Sequence, residues 1–300
     1  MTAGRLLWFT RHFFRHGVRG AYGREIVARR VFRCAPLTGL TDGRAEVHVL
    51  TSAADWMPLI WTLRTFYRTS ARGYRLCIHD DGTLPCEAVE ELRRQFPDAR
   101  LIRRTDADAR LAEVLRDAPA CHAHRAKNPL LLKTFDFSAF LQAGRLVVLD
   151  SDLVFFRAPA DLLERIERPG VALNSFNRDW RYGYSVAWDE LVARAPGPVE
   201  THINSGLGVM QADAVQVGWC EEYFRLLPTL PSHSHRIEQT LIALCVARQG
   251  HAMLPAAYDV HDGPTDFTRP VRHYSGSFRR RLYTEGMRHA WRHRRELLDS

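Results

Sequence analysis

Two carboxylates, Asp150 and Asp152, close the apolar run Leu146-Val147-Val148-Leu149 with only Ser151 between them. Side chains alternate faces along a strand, so residues two apart share a face. If the extended geometry lasts through Asp152, both carboxylates project the same way. Like charges that close repel unless a cation sits between them. The hard divalent cations Mg²⁺ and Mn²⁺ take oxygen ligands of this kind and keep positions for substrate phosphates. Apolar residues also follow the pair, from Leu153 to Phe156, which places it at the edge of a core. The residues therefore predict a metal site for a phosphorylated substrate at the end of a central strand. The plainer alternative, a turn with solvated carboxylates, stays open at this point.

The surrounding pattern supplies elements to hold such a site. Glu46–Leu50 reads as a strand ending at Thr51-Ser52, and a helix follows with Trp56, Leu59, Ile60, Leu63 and Phe66 at helical spacing. Tyr74–Ile78 reads as a second strand, Glu87–Phe96 as a helix and Arg100–Arg103 as a third strand. Leu130–Leu141 reads as a helix leading into the strand 145–149, and Val171–Asn174 as a short strand. His202–Met210 is strand-like; helices follow through Cys220–Leu227 and Ile237–Arg248, then a late strand at His251–Leu254. Strands alternating with helices predict an α/β fold with a largely parallel sheet. Ligands in such folds bind beyond the carboxyl ends of the strands, where Thr51-Ser52, Asp80-Asp81 and Asp150/Asp152 all fall. Asp80 and Asp81, ahead of Gly82, read better as turn caps.

Charge is unevenly placed. The chain of 300 residues carries a formal +8, with +6 in residues 1–43 and +4 in 278–300, which leaves the middle near −2. That suits a catalytic body with two basic ends better than a nucleic-acid binder. Residues 1–43 read as a basic aromatic extension with Leu6, Phe9 and Phe13 on one helical face. Gly17, Gly20 and Gly23 are expected to limit that helix to its first part. Peripheral contact with anionic lipid and simple packing on the body are both open for it. Residues 44–300 read as one catalytic domain with a basic tail. No stretch reads as a transmembrane span or signal peptide, so a cytoplasmic location is expected, with association at the cytoplasmic membrane face left open. The six cysteines form no C-x-x-C pair and read as reduced core residues; a zinc site around Cys121, His122 and His124 is disfavoured.

The chain resembles the glycosyltransferases of GT-A fold, the family 8-like group that includes glycogenin and the lipopolysaccharide galactosyltransferases. The likeness covers about residues 46–285 and rests on segments in the family's order. They are the D-x-D segment LVVLDSDLVFF, then Lys133 seventeen residues before Asp150, then Asn204-Ser205-Gly206-Leu207, then Glu238-Gln239, and last His273-Tyr274-Ser275-Gly276. The family often continues the last segment as H-x-x-G-x-x-K-P-W. Here Arg279 stands at the Lys position and the Pro-Trp is missing.

The resemblance implies a Rossmann-like GT-A sheet and transfer of a sugar from a nucleotide diphosphate, UDP by inference, to a glycan, lipid-linked or protein acceptor. It implies retention of configuration. Asp150, Asp152 and His273 would hold Mn²⁺ or Mg²⁺. Asp150, Lys133, Arg279, Asn204, Gly206, Gly276 and Thr51 would bind the donor. Glu238 and Gln239 would serve the reacting sugar, although both also fit the first turn of a helix, where an acid is favoured by the dipole. Two rivals are carried along. A divalent-metal phosphohydrolase or nucleotidyltransferase would use the same carboxylates, but the sequence has no G-x-x-x-x-G-K-[ST] loop. A non-catalytic membrane- or nucleic-acid-associated protein would depend on the basic ends instead.

Overall fold

The computed structural model describes residues 17–168, 170, 173–227 and 236–299. Residues 17–33 form one helical run, α1, which passes through a π segment at Gly23–Val27 and a 3₁₀ segment at Ala28–Arg33. The glycines do not end it, contrary to the expectation from sequence. A Cβ on Gly23 would lie 2.5 Å from the Tyr283 carbonyl oxygen, so this glycine serves close packing. The predicted aromatic helix face of Leu6, Phe9 and Phe13 lies outside the described residues.

The sheet strands are β1 (Asp42–Thr51), β2 (Tyr74–Asp80), β3 (Arg100–Ile102), β4 (Arg145–Leu149), β6 (Ser175–Arg178), β7 (Ile203–Gln211) and β8 (Ala252–Met253). A separate pair is formed by β5 (Leu153–Phe155) and β9 (Val271–His273). The helices are α2 (Trp56–Ser70), α3 (Cys86–Gln95), α4 (Arg104–Val114), α5 (Pro119–Lys127), α6 (Leu132–Phe140), α7 (Ala160–Glu167), α8 (Trp188–Arg194), α9 (Val217–Leu226) and α10 (Ile237–Gln249). Short helical turns then run over 276–297.

The main sheet has seven strands in the order β3-β2-β1-β4-β7-β6-β8. β7 runs antiparallel to both its neighbours, and the other strand pairings of this sheet are parallel. β4 is central and fully buried, and its residues alternate between two cores. Val147 and Leu149 join α2 and α3 on one side, while Leu146 and Val148 join α6, α9 and α10 on the other. A side chain such as Leu149 buried there contributes roughly 2 kcal/mol, and truncation to Ala would cost more through the cavity left behind. The predicted strand at 171–174 lies instead at Ser175–Arg178; residues 171 and 172 are outside the described set.

Residues 17–43 share the core with the rest of the chain. Val27, Ala28, Val31, Cys34, Leu37 and Leu40 are buried in the same cluster as α2, and Trp61 Nε1 donates to the Ala28 carbonyl at 3.0 Å. Threonines of α2 meet the open edge of β5: Thr62 Oγ1 donates to Leu153 O at 2.7 Å, and Phe155 N donates to Thr65 Oγ1 at 3.1 Å. Those bonds fix where the chain goes after Asp152. Among the described residues no helix is long and apolar enough to cross a membrane.

Candidate active site

The Asp150-Ser151-Asp152 segment is not a continued strand. β4 ends at Leu149, Ser151 and Asp152 form a turn, and β5 begins at Leu153 in the second sheet. The two carboxylates converge all the same, because β9 pairs with β5 and sets His273 opposite Leu153. His273 Nε2 lies 3.0 Å from Asp152 Oδ1 and 3.6 Å from Asp150 Oδ2. The other oxygen of each carboxylate is taken by a fixed cation. Lys133 Nζ lies 2.8 Å from Asp150 Oδ1, and Arg279 Nη2 lies 2.8 Å from Asp152 Oδ2.

This division gives the site its character. One oxygen from each Asp and one imidazole nitrogen remain directed at a common point, all within 4.8 Å of one another. His273 Nε2 is buried without a hydrogen-bond partner. Its other nitrogen, Nδ1, lies 3.1 Å from Asn204 Oδ1, an acceptor that sets the proton on Nδ1 and the lone pair on Nε2. Two oxygens and one nitrogen with an oriented second layer fit Mn²⁺ or Mg²⁺.

β7 supplies the floor. A Cβ on Gly206 would stand 2.3 Å from Asp150 Oδ2 and 2.4 Å from His273 Cε1, so only glycine leaves room for these groups to meet. Asn204 Oδ1 also accepts from Gly206 N at 3.0 Å, while its Nδ2 donates to Asp179 Oδ2 at 3.1 Å. Ser205 reaches the start of α10: its Oγ donates to Glu238 Oε2 at 2.9 Å and its N to Gln239 Oε1 at 3.1 Å. Gln239 Nε2 donates to Gly183 O at 2.9 Å, so both ends of that amide are fixed.

Charges hold one another in their ionised forms. Burial opposes charge on Lys133, but Asp150 and Glu238 beside it keep its pKa above the ordinary lysine range. Burial also opposes charge on Asp152, and Arg279 with His273 more than offsets it, holding the carboxyl well below its usual range. His273 is pushed down by burial and up by Asp152 and Asp150, with the upward effect winning. Glu238 goes the other way, its burial outweighing Lys133, whose Nζ lies 3.2 Å from Oε1.

The cluster opens on a cavity of about 1010 Å³. Of the residues expected to act here, Asp150, Asp152, His273, Lys133, Arg279, Asn204, Glu238, Gln239 and Gly276 line it, and Gly206 lies directly beneath. Thr51 does not line it: the side chain is buried at the end of β1, and Ala53, Ala54 and Asp55 face the cavity in its place. Asp55, which pairs with Arg279 Nη1, carries no motif that would single it out in the sequence. Nor do Asp179, Trp180, Arg181, Tyr182, Arg236 or Arg24, all of which line the cavity. Asp80 caps its turn, accepting from Gly82 N and Leu84 N. Cys121 is buried, with its N donating to Glu221 Oε2 at 3.0 Å, and His124 stacks on Phe224.

No family model and no curated protein sequence matches this chain. Solved structures do. Core-mannan synthase A (CmsA/Ktr4) from Aspergillus fumigatus, in its Mn/GDP form, is 13% identical with a TM-score of 0.50, over 89% of this chain and 88% of that one. The galactosyltransferase LgtC, in complex with donor and acceptor sugar analogs, is 12% identical with a TM-score of 0.51, over 77% and 87%. The bifunctional glycosyltransferase WbbM is 16% identical with a TM-score of 0.51, over 80% of this chain and 47% of that one. At these identities the likeness is one of fold. The fold is GT-A: a mixed α/β sheet, mostly parallel, between helical layers.

Proposed function

We propose that this chain is a metal-dependent glycosyltransferase that moves a sugar from a nucleoside diphosphate, UDP in the first instance, to an acceptor hydroxyl with retention of configuration. The observation that carries the reading is the division of each Asp: one oxygen held by Lys133 or Arg279, the other turned toward His273 Nε2. The family 8-like group is the nearest pattern by motif order. The structural neighbours that bear Mn and GDP, or donor and acceptor sugar analogs, support the same class.

Charge balance names the ligand type. Five cationic side chains (Arg24, Lys133, Arg181, Arg236, Arg279) and five carboxylates (Asp55, Asp150, Asp152, Asp179, Glu238) line the cavity. A divalent cation on Asp150, Asp152 and His273 raises that balance by two, which suits a diphosphate. Bound there, it supplies Lewis acidity to the leaving diphosphate. Lys133 and Arg279 add fixed positive charge, Arg279 as a planar two-pronged donor. Gly276, at φ +54°, turns the backbone at the cavity wall ahead of Arg279. Asn204 fixes the His273 ring. Gln239, its Oε1 held by Ser205 N and its Nε2 by Gly183 O, lines the cavity where positive charge would develop on the sugar.

An inverting reaction needs a carboxylate free to take the acceptor proton. Glu238 is held by Lys133 and Ser205, Asp179 by Asn204 and its neighbouring backbone N–H, and Asp55 by Arg279 and Ser52. This supports retention, with the leaving phosphate as proton acceptor. The test is a titration with UDP, GDP and CMP, with and without Mn²⁺, on the native chain and on Asp152→Ala. Metal-dependent binding of one nucleotide, lost in the variant, is the expected result. No response to any nucleotide at any metal concentration would overturn the reading.

A further inference from the structure

Two basic segments, 17–43 and 278–299, meet in the fold. α1 packs on the C-terminal turns so closely that Gly23 touches the Tyr283 backbone. Arg30 and Arg294, one from each end, both face the Trp291 ring, at 5.7 and 5.4 Å from its centroid. The Arg280 guanidinium lies against Gly17. Among the described residues, 17–43 carry +3 (five arginines against Glu25 and Asp42) and 278–299 carry +4, and these charges, apart in sequence, share one region beside a body near −2.

The inner side of α1 is buried through Ala21, Val27, Ala28 and Val31. Its outer side carries Val18, Tyr22 and Ile26, exposed by 65%, 47% and 50%, at four-residue spacing. Exposed Arg19 flanks this row, and exposed Arg29 and Arg33 continue it. The other large exposed hydrophobics among the described residues, Leu173, Val192 and Leu226, lie singly on other parts of the chain. Single exposed apolar residues need no explanation, but an aligned row edged with arginine does. The row spans about 12 Å at the helical rise of about 1.5 Å per residue.

We propose that α1 and the C-terminal turns form one docking face for an anionic phospholipid bilayer. An apolar row between arginines suits the boundary between headgroups and acyl chains. A second copy of the chain would instead bring like charges together. Arg24 of the same helix lines the cavity, so a bilayer on this face lies one helix width from the site. Resting on the glycosyltransferase reading, this makes a lipid-linked acceptor the substrate class.

The experiment is flotation of the full chain with vesicles of phosphatidylglycerol in phosphatidylcholine, and with phosphatidylcholine alone, at physiological salt. Binding to the anionic vesicles only is expected. The double substitution Val18→Asp with Ile26→Asp should cut partitioning by roughly tenfold or more. Arg19→Gln with Arg29→Gln should cut it roughly fivefold per arginine. Thermal unfolding and Mn²⁺-dependent UDP binding of the variants should match the native chain, so this result and the donor-site result can fail separately. No flotation, flotation unchanged in the aspartate variant, or a dimer dissolved by that variant without flotation would each overturn the proposal.

Discussion

Two clusters among the described residues bring histidine within reach of acid, and they are built in opposite ways. Asp150, Asp152 and His273 stand at strand ends around a cavity, with unpaired atoms facing one point. Glu46, His48, Cys77 and His79 stand within β1 and β2, sealed under Phe137 and Phe140 of α6. The parallel register sets His48 beside Cys77 and places His79 two residues on, on the same face. The polar atoms there form a chain. His48 Nδ1 lies 3.0 Å from His79 Nε2, His48 Nε2 3.2 Å from Glu46 Oε2, and Arg100 Nη2 2.8 Å from Glu46 Oε1. Burial alone would raise the Glu46 carboxyl, but His48, Gln142 N and Arg100 hold it at about 2. Burial holds both histidines neutral, their pKa values below the ordinary range. In the core cluster His48 Nε2 and His79 Nδ1 also lack a hydrogen-bond partner, but both rings are fully buried. The cavity cluster keeps one atom in reserve on each residue. Residue types and unpaired atoms alone do not make a site; access does.

The largest effect should follow from removing a reserved atom. Asp152→Ala should lower sugar transfer roughly 100- to 1,000-fold, the size of losing a preorganised charge at a leaving group. It also frees Arg279, so Arg279→Lys is the companion: a point charge replaces a fork, and a smaller loss is expected. Equal turnover in Asp152→Ala and native enzyme would remove the cavity cluster from the chemistry. Next comes Gly206→Ala. The added methyl would stand 2.3 Å from Asp150 Oδ2. Overpacking there should cost about 1–3 kcal/mol of stability, read in denaturant, and abolish stabilisation by Mn²⁺ with nucleotide. Retained metal stabilisation would show that Asp150 is not needed where it stands.

Sequence made the cavity's chemistry visible and hid its geometry. Asp150 and Asp152 were legible because acids at the end of a buried apolar run conflict with their setting unless something compensates. Gly206 was legible through its neighbours Asn204 and Ser205. The direction of β7 was not, since alternation is the same in parallel and antiparallel strands. The turn at Ser151 was hidden too, because β5 exists through Thr62 and Thr65 of α2 and through β9, none of them adjacent in sequence. Asp55 and Asp179 act only as partners of Arg279 and Asn204, and a partner has no signature of its own. The extent of α1 was hidden because Gly23 serves close approach to Tyr283, a contact with no sequence signature. The core cluster has no sequence signature, because His48, Cys77 and His79 look like ordinary strand positions until the register joins them.

The two clusters should also part company with pH. The folded pKa of His273 is raised, so its contribution to the metal-free fold is complete below about 6.5 and is lost as pH rises through the folded value. His48 and His79 are depressed, so their contribution is complete above about 6.5 and is lost as pH falls. A cation at the cavity needs His273 Nε2 without its proton. Mn²⁺ affinity should therefore rise by up to about tenfold per pH unit, one proton being released, until His273 is neutral. Calorimetry at three pH values in buffers of different ionisation heat measures both the slope and the proton. A flat profile with no proton released would mean that His273 is not a ligand.

The smallest effect is expected where the core cluster is altered. Cys77 is buried, 3.3 Å from His79 Nε2, with its thiol pushed up to about 12 by burial, so it is neither a thiolate nor reachable. Cys77→Ala should cost about 1 kcal/mol of stability, seen as a lower midpoint in urea, and leave turnover at 25 °C within about twofold. Native turnover with lower stability is what a sealed polar chain predicts, since none of its residues lines the cavity. A metal ion that accompanies the native chain and is absent from Cys77→Ala would break the contrast, because the unpaired nitrogens of the buried core cluster would then be accessible as well. A large loss of turnover at unchanged stability would break it differently. It would mean that β1 and β2 carry strain from the cluster to their carboxyl ends, where Asp55 meets Arg279.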